Sequence, residues 1–541
     1  MSNPNTDNVA ENLKNLFQEN GLVSVPAETV DDTTSVSSGA QGDRPELRVP
    51  SDRGVGSGIT YERTAEIALS ILAPRRKLYR KGSVVVRLGD GTLQPVETRN
   101  FKAMIDANFF TTAYQAGRNG KNVIAPKLAS EELAWTLLKT DAVKGLTQVD
   151  LVSMCPIITD QGVVSAGVHN GVLVIGGAVE TVEFLQEAVK IIEDLLFDFD
   201  FATQADKSRA IAMLLTAALK FGGLLRCRCP IFIIDANLSQ AGKGLLTELT
   251  ATIYYAKIAT VTARDGGVGG LDESLDMAMV SGSPFIRLDN VRGRVQSQRL
   301  ESLLTESGTI QARIPHVGYV EVRPSAHIWQ FTANGAEATQ DLMNRSSIVT
   351  IRKRPDDYQF KEWDGMGIMG WTEKHQAKIL GAIFRIIQEW INAGKPSLSC
   401  PSHDFREWAG VVAWFCQTIF HLPAPSEGHR QAAAQRADPV KAWLHALGGK
   451  MLAIGTPLLM TTQELLDASN RHELEAPNSD LGTLGRLLGK CFDNGTCLLD
   501  GMEWRRQELS ATRPSGQPFL QKRYCVFHSN NTVNTVSMVV P

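Results

Sequence analysis

"IFIIDANLSQAGKGLL", residues 231–246, is the stretch whose reading decides the fold. Ile231 to Ile234 form a buried-strand run; small and polar residues follow, then Gly242-Lys243 and a helical stretch. Strand, glycine-bearing loop and helix in that order are the setting of a phosphate-binding loop. In such a loop backbone N–H groups and a helix N-terminus surround the phosphates, a lysine neutralises the β and γ oxygens, and a Ser or Thr hydroxyl holds Mg²⁺. The expected contacts to ATP are Asn237, Gln240, Ala241, Gly242, Lys243 and Gly244. Asn237 stands where the first glycine usually does, and Gly244 brings no hydroxyl for the metal. Taken alone, the loop also reads as a helix N-terminus with an incidental lysine.

About 46 residues beyond Lys243, "PFIRLDNV" is an apolar strand ending in Asp289 and Asn290. A carboxylate at the end of a strand next to the phosphate-loop strand suits the metal and its water. Asn290 occupies the place of a catalytic Glu, and can orient a water without taking its proton. A strand that simply turns at Asp-Asn is the plainer alternative. A third strand, "HIWQFTAN", ends in Asn334, a polar tip suited to holding the attacking water. In "DLMNRSSIVTIRK", Arg345 precedes another strand, where an arginine finger would reach a neighbouring subunit's site; a surface arginine at a helix end is the alternative. "SGTIQARIPHVGYVEVRP" alternates as a hairpin carrying Arg313, His316 and Arg323, either a grip on single-strand phosphates or an ordinary solvated hairpin.

The chain has 541 residues, with 55 Lys plus Arg against 58 Asp plus Glu, so nucleic-acid binding would have to come from local patches. Eight cysteines are scattered without a CxxC pair and no secretory segment opens the chain, which reads as reduced thiols in a cytoplasm. Cys227 and Cys229 have no further ligands nearby for a metal. No apolar run approaches a membrane span.

Composition and periodicity divide the chain into five parts. Residues 1–58 are a polar leader too poor in apolar residues to order itself, with one short helix in "NVAENLKNLFQ". Residues 59–180 are a small α+β domain with a hairpin at "KLYRKGSVVVRLG". Residues 181–360 hold the α/β ATPase core, 361–425 a helical segment, and "PSEGHRQAAAQRADP" a linker or exposed helix. In residues 440–541 two helices and a basic hairpin fit a winged helix-turn-helix. There "LGTLGRLLGKCF" puts Arg486 and Lys490 on one face, with Arg505, Arg506, Lys522 and Arg523 as wing contacts to phosphates. Winged helices also serve as protein-contact modules.

The order of "DFATQADKSRAIAMLLTAAL", "FIIDANLSQAGKGLL", "FIRLDNV", "WQFTANG", "DLMNRSSIVTIRK" and "FREWAGVVAWF" resembles the AAA+ ATPases of phages, prophages and plasmids, the replicative helicases and primase-associated ATP-binding proteins. The resemblance covers residues 60–425, and more loosely the C-terminal winged helix. It implies a three-layer αβα P-loop core, with Lys243 as phosphate lysine, Asp289 as metal-side acid, Asn334 as first sensor and Arg345 as finger. Family loops carry Gly at 240 and Thr at 244, where this chain has Gln240 and Gly244, and a double arginine where it has Asn344-Arg345. The implied protein is a homo-oligomeric, hexameric helicase or translocase on single-stranded or forked DNA, with ATP, Mg²⁺ and a primase or other replication partner. Two alternatives stand beside it: a non-hydrolysing assembly scaffold that keeps nucleotide as a structural ligand, and a regulator that binds one duplex sequence.

Overall fold

The computed structural model describes residues 44–51, 59–116, 122–236, 238–261, 270–289, 294–295, 297–314, 318–334, 337–454, 459–492, 494–499, 501–512 and 517–528. Asn237, Asn290, His316 and the helix expected in "NVAENLKNLFQ" lie outside these residues, and Asn334 is described through its backbone alone.

Around the quoted stretch the chain runs α1 (Leu185–Leu195), β1 (Asp200–Phe201), α2 (Gln204–Phe221), β2 (Ile231–Ala236), α3 (Lys243–Ile253), β3 (Ile258–Val261), α4 (Leu271–Val280) and β4 (Phe285–Leu288). It continues through α5 (Gln298–Thr305), the hairpin β5 (Ile310–Ile314) and β6 (Gly318–Val322), β7 (Ile328–Asn334), α6 (Gln340–Asn344) and β8 (Ser346–Arg352). Six strands join in the order β1-β8-β2-β7-β4-β3; β1 is antiparallel to β8 and the other five are parallel.

All six residues of β2 are buried, as a near-continuous Ile and Phe run requires when both faces of a parallel sheet are covered. Phe232 and Ile234 pack with Leu214 of α2 and Leu246 of α3, while Ile231 and Ile233 pack with Leu275 of α4 and Leu300 of α5 on the opposite face. Helix α2 is buried almost all round, because α7 (Gly367–Asn392) and α8 (Arg406–Trp414) cover the side turned away from the sheet. Its start is fixed by Thr203, whose hydroxyl accepts the Asp206 N–H at 3.2 Å.

Two expected boundaries move. Glu46–Arg48 form a strand parallel to Phe110–Ala116, with Leu47 and Val49 in the core, so the leader of 1–58 ends before residue 46. Apolar alternation over three residues was too short a signal among polar neighbours. Residues 59–180 are not one domain: Leu151, Ile157, Ile158, Val172 and Val174 join the core that contains Phe232, while residues up to 146 pack around Phe101 and Ile105. The expected hairpin is a three-stranded meander, Leu78–Lys81, Val84–Gly89 and Thr92–Pro95, that docks on the central body. The Lys81 ammonium, wholly buried, donates to the carbonyls of Asp150 and Met279 at 2.5 Å each.

The expected linker is α9 (His429–Ala437), with Ala433 and Ala437 packed on the central body rather than solvated all round. It leads into α10 (Pro439–Ile454), α11 (Thr462–Arg471), α12 (Leu481–Cys491) and an antiparallel sheet of β9 (Thr496–Leu499), β10 (Met502–Thr512) and β11 (Pro518–His528). Trp443, Leu465, Leu484, Leu488, Trp504 and Tyr524 form its core, and Thr461 and Glu464 form a capping box at the start of α11. Among the described residues no helix is long and apolar enough to cross a membrane.

Candidate functional site

Between β2 and α3 the backbone turns through left-handed conformations at Gln240 (φ 64°) and Gly242 (φ 94°). A Cβ at Gly242 would lie 3.3 Å from Phe199 in addition to the unfavourable φ, so this position needs glycine. Gly242 caps α3 without a side-chain hydrogen bond, and the first helical bond runs from Leu246 N–H to its carbonyl at 2.9 Å. The N–H groups of Lys243, Gly244 and Leu245 precede that bond, at the positive end of the helix dipole. Burial lowers the Lys243 ammonium's pKa, and the Asp235 carboxylate on β2 opposes that shift. A Cβ built on Gly244 meets nothing within 4 Å, so a hydroxyl-bearing side chain has room there.

Asp289 follows β4, which is not the neighbour of β2: β7 lies between them. The expected adjacency is therefore corrected; apolar strands announce themselves in sequence, but their lateral order does not. The Asp289 Oδ1 accepts from Thr332 of β7 at 2.6 Å and lies 3.9 Å from Arg287 Nε. Arg287 lies two residues upstream, within β4. Its guanidinium donates to Thr247 Oγ1 (2.9 Å) and Glu248 Oε1 (3.3 Å) of α3, and its Nε has no hydrogen-bond partner. Sequence reasoning passed over Arg287, although a cation inside the run Phe285–Leu288 was a visible signal: a buried arginine has to be paired. Among the described residues no three His, Cys, Asp or Glu side chains cluster to hold a metal. A magnesium ion bound chiefly through phosphates and water needs only one or two carboxylates, and Asp289 can supply one.

Asn334 ends β7 directly beside Ala236, the end of β2. The phosphate-type loop, Asp289 and Asn334 thus share the carboxyl edge of the sheet. Arg345 does not. It precedes β8, whose Ser346 pairs with Ile231, and its carbonyl accepts the Ile231 N–H at 3.2 Å. Five residue steps at about 3.3 Å put this opposite edge about 17 Å from the loop in the same chain. Its guanidinium pairs with Asp341 of α6 at 2.9 Å. Below it, His403 Nε2 meets the Ser346 carbonyl at 3.1 Å and His429 Nε2 the Asn344 carbonyl at 3.3 Å, with the two rings stacked at 4.4 Å.

Beside Gln240, Ala241 and Gly242 opens a cavity of about 510 Å³, closed on its other side by residues 353–368. Phe199, Phe360 and Trp363 give it aromatic walls, and Lys353, Arg354 and Lys361 supply cations. Arg354 fastens the two sides, donating to the carbonyls of Asp198 (3.1 Å) and Phe199 (3.3 Å), while Asp198 accepts from Tyr358 Oη at 3.2 Å. None of these residues stood out in the sequence, because they come from two segments more than 150 positions apart.

On the β5–β6 hairpin Ala312, Ile314, Val320 and Val322 face the core, while Arg313 and Tyr319 are exposed. Arg323 is already engaged: its guanidinium pairs with the buried Asp150 at 3.0 Å. On α12, Arg486 and Lys490 are both exposed, one turn apart. The four cations of the terminal ribbon do not form one patch. Arg505 pairs with Cys525 and Gln507 with Arg523, whereas Arg506 pairs with Tyr524 and Glu508 with Lys522. Strand alternation therefore puts Arg505 and Arg523 on one face and Arg506 and Lys522 on the other. Arg505 is also tied to Glu503 at 2.7 Å.

No protein-family model matches the chain, and no curated protein matches it. The solved structures similar to it include helicases. An active helicase, Cch of SCCmec type IV, is 11% identical over 81% of this chain and 89% of its own, with a TM-score of 0.31. Two structures of JCV helicase, one with a bound acetamide compound, are each 12% identical over 47% of this chain and 72% of theirs, with TM-scores of 0.22 and 0.21.

Proposed function

We propose that the protein is an ATP-dependent DNA helicase or translocase, a ring-forming ATPase of the AAA+ type with a C-terminal winged helix, acting in the replication of a mobile element. What supports it most is the sheet. A glycine-turned loop with Lys243, the Asp289 strand end and the Asn334 strand end converge on one edge, and Arg345 lies on the opposite edge.

The nucleotide's phosphates would lie on the first turn of α3, where backbone N–H groups and the helix dipole meet negative charge and Lys243 adds a point charge. The base would enter the cavity beside the loop, against Phe199, Phe360 or Trp363. Asp289 would hold Mg²⁺ through water, and the metal would neutralise charge on the phosphate oxygens. Asn290 and Asn334 would orient the attacking water. A chain cannot bring its own Arg345 to this edge, so the finger comes from the next subunit, and the working unit is an oligomer. Arg313 and Tyr319 on the exposed face of the hairpin pair a phosphate-binding cation with a stacking ring, as single-strand grips do.

One observation favours a second reading, a nucleotide-binding scaffold without turnover. Arg287 stands 3.9 Å from Asp289, a resident cation beside the carboxylate that a metal would use, and Gly244 offers no hydroxyl. ATP hydrolysis by the wild-type protein, with and without single-stranded DNA and beside Lys243→Ala, separates the two. DNA-stimulated turnover that disappears in the variant is expected of a motor; nucleotide binding without turnover belongs to the scaffold.

A further inference from the structure

Arg287 stands inside β4, between Ile286 and Leu288, and is only 8% exposed. A guanidinium in that setting has to be held by acceptors. Helix α3 and β3 supply them. Nη1 donates to Thr247 Oγ1 at 2.9 Å and to Glu248 Oε1 at 3.3 Å, and Nη2 donates to Thr260 Oγ1 at 3.5 Å. The Thr247 hydroxyl in turn donates to the Gly244 carbonyl at 2.8 Å. A line of hydrogen bonds therefore runs from β4 to Gly244, the residue that brings no hydroxyl for a metal. Thr247, the first hydroxyl along α3, is spent in that line.

The guanidinium is thus anchored through both Nη atoms, and one N–H is left over. Nε is buried and has no hydrogen-bond partner. Asp289 Oδ1 lies 3.9 Å from it and takes its hydrogen bond from Thr332 instead. An arginine keeps its charge at every working pH, so Asp289 has a permanent cation beside it. That cation acts in opposite senses on the two kinds of ion that could arrive. A divalent metal approaching Asp289 meets a like charge 3.9 Å from the oxygen it would use. A nucleotide phosphate arriving without a metal meets a carboxylate whose charge is already offset.

We infer that Arg287 is a positioning residue that makes nucleotide binding at this site nearly independent of magnesium: it offsets the Asp289 charge and, through Thr247, holds the start of α3. This rests on the phosphates lying on the first turn of α3, as proposed above.

The test is the affinity of the full-length protein for the fluorescent nucleotide mant-ATP, measured in excess magnesium and in EDTA, with thermal melting of each variant. Wild type should bind within about threefold in the two conditions. Arg287→Leu leaves Asp289 uncompensated, so its binding in EDTA should fall about tenfold below its binding in magnesium. Adding Asp289→Asn removes that charge and should bring the ratio back to within about threefold. Arg287→Lys keeps the charge and should keep the wild-type ratio, which guards against a Leu variant that fails to fold. An arginine that served the fold alone would weaken binding equally in both conditions and leave the ratio where it was. A wild-type ratio above about threefold overturns the inference. So does an Arg287→Leu ratio that stays with wild type, or an Arg287→Lys ratio that departs from it. Wild-type protein that binds mant-ATP in neither condition, or Lys243→Ala protein that binds it as well as wild type, would instead overturn the nucleotide-site reading beneath it.

Discussion

At the carboxyl edge of the central sheet, β2 gives way to a left-handed glycine turn and a helix start beside a cavity of about 510 Å³, and Asp289 takes a hydrogen bond from Thr332. At the amino edge, one strand length away, Arg345 is paired with Asp341 and its backbone rests on two stacked, buried histidines. One edge exposes helix-start N–H groups to a ligand, and the other is sealed and braced. Under the proposed function the difference is a division of labour: the first edge would receive a ligand, and the second would hold one arginine for use outside its own chain.

The largest test of that division is Arg345→Ala. An arginine finger contributes on the order of 10³-fold in turnover, so the variant should lose about that much while mant-ATP binding to the same chain stays unchanged. Binding lost together with turnover would return Arg345 to its own site and erase the contrast.

Next is the brace. Burial, with His429 and Arg209 nearby, pushes His403 down to about 3, against the Ser346 hydrogen bond that raises it. The folded chain therefore keeps this ring neutral, while the unfolded chain takes up a proton below its ordinary value of about 6.5. Stability contributed by the neutral ring is present above that value and is lost as pH falls. Between pH 7 and pH 5 the loss from His403 is about 2 kcal/mol. Urea unfolding at the two pH values should show that much less acid sensitivity in His403→Gln than in wild type; equal sensitivity would place the acid response elsewhere.

Gly244→Thr sharpens the ligand edge. The site has room for the side chain, and a restored metal ligand should raise turnover about tenfold, which is about 1.4 kcal/mol of barrier. No rise would mean that Arg287, rather than the missing hydroxyl, limits the site.

The smallest effect concerns the terminal ribbon. Lys522→Ala, on the ribbon face shared with Arg506, should lower the salt slope of single-stranded DNA binding by about 1. Arg505→Ala should lower it less, because Glu503 already neutralises that guanidinium. Equal slopes in both variants and wild type would remove the ribbon from the DNA surface.

Short-range features were legible in the sequence. The Ile- and Phe-rich β2, the glycine turn and the Thr203 cap are written within a few consecutive residues, so the mixed α/β character and the loop could be read. What was not legible depends on the lateral order of strands and on long-range pairing. Nothing in "PFIRLDNV" says that β7 intervenes between β4 and β2, and nothing in "QAAAQRADP" says that Arg436 meets Asp235. Leu47 and Val49 were overlooked because two apolar residues in a polar stretch carry no periodicity until a partner strand supplies the other face. The wall of the cavity was invisible for the same reason, since Phe199 and Trp363 meet only after the sheet has formed.

The most direct measurement of the central claim, a site built by two chains, is to mix Lys243→Ala protein with Arg345→Ala protein and follow ATP hydrolysis. Each variant alone should be inactive, and the mixture should regain turnover, because the intact lysine edge of one chain then faces the intact arginine edge of the other. A mixture as inactive as its parts, with assembly of the mixed oligomer verified, would contradict the shared site.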